Sequence, residues 1–527
     1  MDPITMGGGI LAILLSAGVV YSLVTYFRDP YGLRRFPGPF LAKFSYAWVL
    51  CVGLTRRRAT IIHEMHKRYG PIVRVSPHEL SFSDPAAYAI VHSFNTRLPK
   101  SSFYQAFATI GLTNVFTSQS KSEHGQKRRL LHPLFTAQVS REFAPKTAEL
   151  MNTLLGQWET RYTSNDAEYT WFDCVPWVTL LSFDQVSSFV FGDGFGMVGS
   201  SSDDVRVSAD WRAALYNTQT AASKESQAED ASLTDLVTDR EAYNYLAGLA
   251  PAWLKSFARK VLWKQVRSSL VFSGFVAQRV YARLGAAISD PEEPTDLVGR
   301  FLKRTQSQKE TFRAEALIAE LITIVVAGSD TSRNTLIAAI YYLAQHPNLQ
   351  RQLHEELDAR LGPEYDPLDV ESLPFLGAVL NEALRMHSPV GIGLPRTVTE
   401  PGLTVCGEFI AAGTTVGVPI YTIHRDHGIW GADASEFRPD RWLEAEEVTA
   451  KYSDAFKPFS DGPAGCIGKT LALLQLRVMI AAVFTQFEVV LEDPRSELKT
   501  EDWFVRRVTE CRIGVRRRSA PASLKKA

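Results

Sequence analysis

Residues 459–468 read FSDGPAGCIG and place one thiol, Cys466, in a loop that is nearly free of side chains. Three glycines and a proline surround it, and the helix-like run KTLALLQLRVMIAAVFTQF follows at once. A thiolate at a helix N-terminus faces backbone N–H groups, so we expect a lowered thiol pKa. The glycines would let a flat ligand lie against the backbone, while N–H groups directed at the sulfur tune its donation to a metal. The pattern FxxGxxxCxG therefore favours a metal-ligating cysteine over an inert structural thiol.

Composition excludes several classes of protein. The 527 residues are 45% hydrophobic and carry 57 basic and 57 acidic side chains. This balance argues against nucleic acid as the main partner, because neutralising phosphates needs a basic surplus. The five cysteines include no CxxC pair. A disulfide framework and a multi-thiolate zinc site are therefore not expected, and any cysteine chemistry must come from a single thiolate.

The N-terminal segment is predicted to be a membrane anchor. No charged residue occurs between Pro3 and Phe27, a run that is about long enough to span a bilayer. A cleaved signal peptide is the alternative, but a basic segment before the run and a small-residue cleavage site after it are both missing. Following arginines predict that the body of the protein stays in the cytosol. We assign residues 1–27 to the anchor, 28–40 to a proline-containing linker and 41–527 to one large domain.

The large domain is predicted to be mainly α-helical with a minor β region. YGPIVRVSPHELSFS at 69–83 alternates polar and apolar residues and predicts a β-hairpin. Helical patterns then dominate to about residue 390. Short strands are expected within 402–421, and two more strand-like pieces within 487–516.

One predicted helix, residues 315–346, is apolar around nearly its whole circumference and must be buried. A polar island that includes Asp330 and Thr331 interrupts it, next to Gly328. Burying these groups is costly unless they find partners or serve a reaction. Gly328 would allow close approach to the backbone, and Thr331 would bond back to the helix and open a groove. The simpler alternative is a kinked helix whose polar residues are satisfied.

A carboxylate between two guanidinium groups is also predicted. Glu382 and Arg385 lie three residues apart in a predicted helix at 374–387, so they share a face. Arg441 follows a proline-fixed turn in the segment FRPDRW. Two guanidinium forks on one carboxylate would form a buried lock.

These motifs occur together, in order, in one family. The AGSDT helix, the ExxR pair, FRPDRW and FxxGxxxCxG resemble the cytochrome P-450 haem-thiolate monooxygenases over essentially the whole chain. The resemblance implies the P-450 fold and haem b with Cys466 as the axial ligand of its iron, because thiolate donation favours O–O cleavage. It implies that Thr331 and Asp330 deliver protons during catalysis. Glu382, Arg385 and Arg441 would be structural.

The resemblance also implies how the haem is held. Its propionates need cations, yet the family's usual cation two residues before the cysteine is replaced by Ala464. We therefore expect either weaker haem retention or compensation by other propionate-binding residues. The further haem-binding residues implied are His124, Arg128, Arg396, Phe459 and Gly328.

Within the family, the chain resembles the fungal benzoate para-hydroxylases, which act on a small aromatic acid. The similar segments are LPKSSFYQAF at 98–107, GIGLPR at 391–396 and VPIYTIHRD at 418–426. Pro389 and Val390 stand where those enzymes tend to carry hydroxyl residues, which weakens recognition of a carboxylate. An intermediate of fungal secondary metabolism is therefore the alternative substrate. The predicted pocket, whose members would otherwise be ordinary core residues, consists of Phe103, Tyr104, Phe107, Val390 and Ile392.

The resemblance implies a single-pass protein of the endoplasmic reticulum membrane that uses O2 and a small-molecule substrate. Electrons would come from NADPH through a flavoprotein reductase. Two other functions remain open: a haem-thiolate isomerase or dehydratase that does not use O2, and a non-catalytic haem-binding protein. The presence of both Asp330 and Thr331 counts against the isomerase. Candidate basic contacts to an acidic reductase are Lys127, Arg129, Lys457, Lys469 and Arg477.

Overall fold

The computed structural model describes residues 18–518, apart from 19, 21, 97, 110, 164–168, 217–227, 290–293, 308–312 and 363–364. Most of the predicted anchor lies outside these residues; its described end is helical at Gly18, at Val20 and over 22–28. Among the described residues, one helix is long and apolar enough to cross a membrane, Cys174–Phe191. Because 94% of it is buried inside the protein, it is a core helix.

Helices make up most of the described chain. The α-helices are α1 Ala47–Leu54, α2 Arg58–Tyr69, α3 Pro85–Val91, α4 Lys121–Leu131, α5 Ala137–Tyr162, α6 Cys174–Phe191, α7 Met197–Ser200, α8 Trp211–Tyr216, α9 Leu233–Leu249, α10 Ala252–Val261, α11 Trp263–Ser289, α12 Leu297–Ser307, α13 Ala314–Gln345, α14 Pro347–Arg360, α15 Pro374–Met386, α16 Ile420–Ile423, α17 His427–Trp430, α18 Glu446–Ser453 and α19 Lys469–Gln486. Short 3-10 helices lie at Leu41–Lys43, Ser102–Phe107, His132–Phe135, Asp369–Ser372, Pro439–Leu443 and Gly462–Ala464.

The strands form small sheets at the margins of the helical body. They are β1 Ile72–Ser76, β2 Glu79–Phe82, β3 Trp171–Asp173, β4 Asp204–Ser208, β5 Ala228–Ser232, β6 Arg396–Thr397, β7 Leu403–Val405, β8 Glu408–Ile410, β9 Thr415–Gly417, β10 Phe487–Leu491, β11 Lys499–Asp502, β12 Arg506–Glu510 and β13 Arg512–Arg517. A mixed sheet has the order β1-β2-β9-β6, an antiparallel one has the order β10-β13-β3, and β4-β5, β7-β8 and β11-β12 pair two by two.

The predicted mainly helical fold with a minor β region is therefore confirmed. The expected hairpin is β1 and β2, paired antiparallel from Ile72 opposite Phe82. The expectation of two strand-like pieces within 487–516 is wrong, because four strands occur at 487–517. The residues between β10 and β13 form the additional antiparallel pair β11-β12. The local sequence pattern does not indicate this pair.

Helix α13 runs through the middle of the main core, as its all-round apolar pattern predicts. It packs along α6, whose side chains are nearly all buried, and against α19 and α15. Leu336, Ile337 and Ile340 on α13 are completely buried. This rigid central helix fixes the position of its polar island relative to the loop before α19.

The carboxylate of Glu382 is locked between two arginines, as predicted. Arg385 donates to both of its oxygens, at 2.7 and 2.9 Å, and Arg441 Nε donates to Oε1 at 3.1 Å. Trp442 adds an indole N–H bond of 2.9 Å. All three charged side chains are 0% exposed. Such a buried group is stable only while every partner is present.

His424 connects this lock to the loop that carries Cys466. Its Nε2 accepts a hydrogen bond from the backbone N–H of Lys457 at 3.0 Å. Its Nδ1 lies 3.2 Å from the carbonyl of Arg385 and must be the protonated nitrogen, since a carbonyl only accepts. Burial, followed by the charges of Arg385 and Arg425, lowers the pKa of His424 well below its usual value, so the ring is neutral.

Replacing Glu382 by Gln tests the lock. The change leaves the buried Arg385 without a counter-charge and Arg441 with only that of Asp433, so we expect the free energy of unfolding to fall by about 3–5 kcal/mol. Urea unfolding followed by circular dichroism measures it. The matched control is Glu501→Gln, which removes the largely exposed ion pair with Arg56 and should cost less than about 1 kcal/mol. Equal losses in the two variants would show that the buried Glu382 ion pairs stabilise the fold no more than the Arg56–Glu501 pair does.

Candidate active site

The loop 459–468 is held in shape by its own backbone. The N–H of Cys466 donates to the carbonyl of Phe459 at 2.9 Å, and that of Gly465 donates to the carbonyl of Gly462 at 3.1 Å. The Asp461 side chain accepts from the N–H of Gly462 at 2.8 Å. Gly462 has a φ of +67°, in the left-handed region that favours glycine. The sequence thus folds into a tight turn that presents Cys466 immediately before α19.

The Cys466 side chain lies deep in the protein yet is exposed to an internal cavity. The N–H of Gly468 and the charges of Arg128 and Lys469 favour the thiolate. Burial outweighs them and raises the pKa of the thiol. The expectation of a lowered thiol pKa is therefore wrong for the protein alone, because desolvation exceeds the effect of the helix N-terminus. A bound metal ion would supply the missing stabilisation, since coordination deprotonates a thiol.

Cys466 and the polar island of α13 line the same cavity. Its volume is about 280 Å³, and its walls include Gly328, Thr331 and Phe459. Gly328 belongs to an otherwise buried helix but is exposed to this space. A side chain there would press within 2.9 Å of Val186 on α6, so the glycine also permits close helix packing.

The polar island is satisfied within a continuous helix. Thr331 Oγ1 donates back to the carbonyl of Ala327 at 2.8 Å, as predicted, and Ser329 donates to Val325 at 2.8 Å. Asn334 donates to the carbonyl of Asp330 and accepts from the N–H of Val508 on β12, both at 2.6 Å. Of the acid and alcohol singled out in the sequence, only Thr331 lines the cavity within the described residues.

The carboxylate of Asp330 points into a buried ion-pair network. Arg507 of β12 donates to it at 2.6 Å, and Arg333 lies 3.6 Å away. Burial alone would raise the pKa of Asp330, but these two guanidinium groups lower it below its usual value. Arg507 also forms an ion pair with Glu241 of α9 at 2.7 Å. One guanidinium group on β12 is therefore paired with carboxylates on both α9 and α13.

The predicted cations gather at a second cavity of about 650 Å³ that shares Ala464 with the first. His124, Arg128 and Arg396 all line it. Arg128 Nη1 donates to the carbonyl of Gly465 at 2.8 Å and so braces the cysteine loop. Sequence reasoning missed two further members of this wall, His92 and Lys100. Lys100 was detectable as part of the benzoate-hydroxylase-like segment, whereas nothing local distinguishes His92.

The predicted substrate pocket is mostly wrong. Phe103, Tyr104 and Ile392 belong to a buried cluster with Tyr245, and Phe107 packs against that cluster. Of the five residues, only Val390 is among the described residues that line the cavity.

Two other aromatic residues, Phe116 and Phe504, take the place of the predicted ones in the cavity wall. Their rings meet edge to face with centroids 5.3 Å apart. Phe504 comes from the turn between β11 and β12, far along the chain, which is why no local pattern indicated it.

The arrangement fits haem. One sulfur faces a mainly apolar cavity, no charged side chain lines that cavity within the described residues, and cations lie along the edge marked by Ala464. This is the donor set that an iron with one thiolate, a flat apolar macrocycle and acidic substituents requires.

The sequence model of the family described as Cytochrome P450 matches residues 37–513. The chain is 30% identical to a benzoate 4-monooxygenase of Aspergillus niger, over 96% of this chain and 99% of that protein. It is also 30% identical to a cytochrome P450 monooxygenase of Aspergillus versicolor, over 91% of this chain and 80% of that protein. Identity to another, from Aspergillus flavus, is 27%, over 97% and 98% of the two chains. The resemblance inferred from the motifs is confirmed.

Replacing Gly462 by Ala tests the loop geometry. A Cβ at this position would lie 1.9 Å from the carbonyl oxygen of His92, and the positive φ adds strain. We expect a loss of at least about 1–3 kcal/mol in the free energy of unfolding and a lower haem content per protein. Gly156→Ala on α5 is the control, because a Cβ there meets nothing within 4 Å and the residue lines neither cavity. Parental haem content in Gly462→Ala would contradict the described turn.

Proposed function

Because the chain belongs to the cytochrome P450 family of monooxygenases, we propose that it binds haem b on Cys466 and inserts one oxygen atom of O2 into a small aromatic substrate. Its electrons would come from NADPH through a flavoprotein reductase. The observation that carries the proposal is that Cys466 and Thr331 line one cavity from opposite elements, α13 and the loop before α19. When bound, haem supplies the redox chemistry that activates O2.

The cysteine loop acts as the ligand support. The Cys466 thiolate would donate electron density to the iron, and the N–H of Gly468, which favours the thiolate, would moderate that donation. Phe459 and Gly328 face the cavity and would contact the macrocycle from either side. Arg128 braces the loop through Gly465 and, with Arg396 and His124, would face the propionates.

Thr331 and Asp330 have different parts in proton delivery. Among the described α13 residues with a hydroxyl that line the cavity, Thr331 is the nearest to Gly328 in sequence. Its hydroxyl would hold and pass a proton there. Asp330 is ionised and paired with Arg507, on the side of α13 away from the cavity. To take part in proton delivery, its carboxylate would have to move between this ion pair and the cavity. This agrees with the oxygen-using reaction, whereas an isomerase has no use for the pair.

The cavity favours an aromatic substrate with little charge. Phe116, Phe504 and Val390 line it, and no charged side chain does so within the described residues. A substrate carboxylate would lose its hydration without gaining a partner. A benzoate-like acid is the second candidate, supported by the relative named benzoate 4-monooxygenase.

Membrane attachment is proposed for the N-terminal segment. As a second, separate contact it is proposed for α10. Helix α10 and the first residue of α11 expose Trp253, Phe257 and Trp263, which are 79%, 61% and 58% accessible. Lys255 and Arg259 lie on the same helix, a composition that suits the surface of an anionic bilayer. With residues 1–27 as anchor and 28–40 as linker, the domain 41–527 would rest on the cytosolic face of the endoplasmic reticulum.

Only part of the predicted reductase surface is available. Lys127 is tied to Glu320 at 3.3 Å and Lys457 to Asp461 at 3.0 Å, so both are engaged internally. Arg129 and Lys469 are exposed, and they remain our candidates for contacts with an acidic flavin domain.

Thr331→Ala distinguishes a monooxygenase from the alternatives. Without the hydroxyl we expect NADPH and O2 consumption to continue while product per NADPH falls by about tenfold or more. Ser329→Ala removes a hydroxyl of the same helix that donates to the carbonyl of Val325 and lies outside the described cavity wall, so it should leave this ratio near the parental value. Product formation that needs neither NADPH nor reductase would favour the isomerase, and no turnover of any tested substrate would favour a binding protein.

A spectral titration of the haem-loaded protein separates the two substrate candidates. We expect methyl benzoate to shift the iron spin state at about tenfold lower concentration than benzoate, because the ester leaves no unpaired charge in the cavity. Tighter binding of benzoate would assign the protein to the aromatic-acid hydroxylases and contradict the uncharged cavity as the determinant.

A further inference from the structure

Among the residues that line the cation-rich cavity, His92 is a polar residue to which no role has been assigned so far. His92, at the end of α3, is 5% exposed, and neither ring nitrogen has a hydrogen-bond partner among the described residues. Leaving a buried imidazole unsatisfied costs free energy, so such a group calls for a partner. His92 lines the same cavity as Ala464.

His92 is held firmly against the cysteine loop. Its ring stacks on Tyr88, with centroids 4.2 Å apart, and the Tyr88 hydroxyl donates to Ser460 at 2.9 Å. The backbone of His92 also touches the loop, since a Cβ on Gly462 would lie 1.9 Å from its carbonyl oxygen. The ring therefore has a fixed position beside the loop that carries Ala464.

The surroundings of His92 are short of negative charge. Burial, followed by Arg396 and Arg128, lowers the pKa of Lys100 to about 7. Burial and then Arg396 also lower the pKa of His92 well below its usual value. Nη1 of Arg396 has no hydrogen-bond partner in the described part of the chain. An anion entering this cavity would offset the repulsion among these cations and give His92 and Arg396 a hydrogen-bond partner.

The carboxylate that lines the cavity does not meet this need. Asp461 is paired with Lys457 at 3.0 Å and accepts the N–H of Gly462 at 2.8 Å. The demand is thus for an anion from a ligand, placed next to the position where the family's usual cation is absent.

We propose that His92 replaces, from helix α3, the propionate contact that Ala464 does not offer: a ring N–H of His92 donates to a haem propionate, beside Arg396 and Lys100. The inference rests on haem binding at Cys466, as proposed above, and not on the identity of the substrate. It answers how a loop without its usual cation retains the cofactor.

The test is the rate at which the haem-loaded full chain gives up haem to excess apomyoglobin. His92→Phe keeps the ring stack on Tyr88 and removes both nitrogens, so we expect release about tenfold faster than from the parent. Adding Ala464→Arg to this variant should restore slow release. His354→Phe is the matched control, because Nε2 of His354 is also buried without a partner but lies outside both cavities, and it should leave the rate unchanged.

Two further measurements separate a hydrogen bond from packing. His92→Gln retains a donor and should release haem within about threefold of the parental rate. Haem dimethyl ester, which lacks ionised propionates, should leave the parent and His92→Phe at equal rates. Parental release of haem by a folded His92→Phe overturns the inference, as does release from His92→Gln as fast as from His92→Phe. Failure of the parent to bind haem at all would overturn the proposed function as well.

Discussion

The site depends on the carboxylate of Glu382, which is fully buried between Arg385 and Arg441. Taking three charges out of solvent is costly, and the cost is offset only while each hydrogen bond is made. The other N–H groups of Arg385 donate to the carbonyls of His424, Ala434 and Glu436. His424 in turn accepts from the N–H of Lys457, two residues before the cysteine loop begins. Helix α15 and the cysteine loop therefore take up their positions together.

A second constraint acts from the other side of the cavity. Helix α13 is buried along most of its length, and Ser329, Asp330 and Asn334 of its polar island contact either the backbone of the helix or strand β12. Arg507 joins Asp330 to Glu241, so α9 and β12 are tied to the helix at the level of the cavity. With the loop fixed by one network and α13 by another, the distance across the cavity is set by the fold, as preorganised catalysis requires.

The parts of this structure that short patterns control were predictable. The cysteine loop, the hairpin β1-β2, the buried helix α13 and the Glu382 lock all arise from residues close in sequence or from motifs with strong geometric needs. Phe103, Tyr104 and Phe107 were misplaced because a short aromatic segment does not reveal which of its sides faces a cavity. Phe116 and Phe504 took their place through contacts made across the fold.

The pKa shifts and hydrogen-bond partners of these residues were harder to predict than their places in helices, strands and loops. The thiol of Cys466 stands at a helix N-terminus, as the sequence indicates, yet burial sets the direction of its pKa. His424 and Arg507 have their partners far away in the chain, and the ring nitrogens of His92 have none among the described residues, so the local sequence does not distinguish these three from ordinary residues. Their importance is visible only as buried polar atoms whose partners are distant or missing.

The most direct measurement is the absorption spectrum of the reduced, haem-loaded protein with carbon monoxide. We expect the red-shifted Soret band of a thiolate-ligated haem, and its loss in Cys466→His, which substitutes an imidazole for the sulfur. A parental spectrum typical of histidine-ligated haem, or an unchanged red-shifted band in Cys466→His, would contradict the assignment of Cys466 as the ligand.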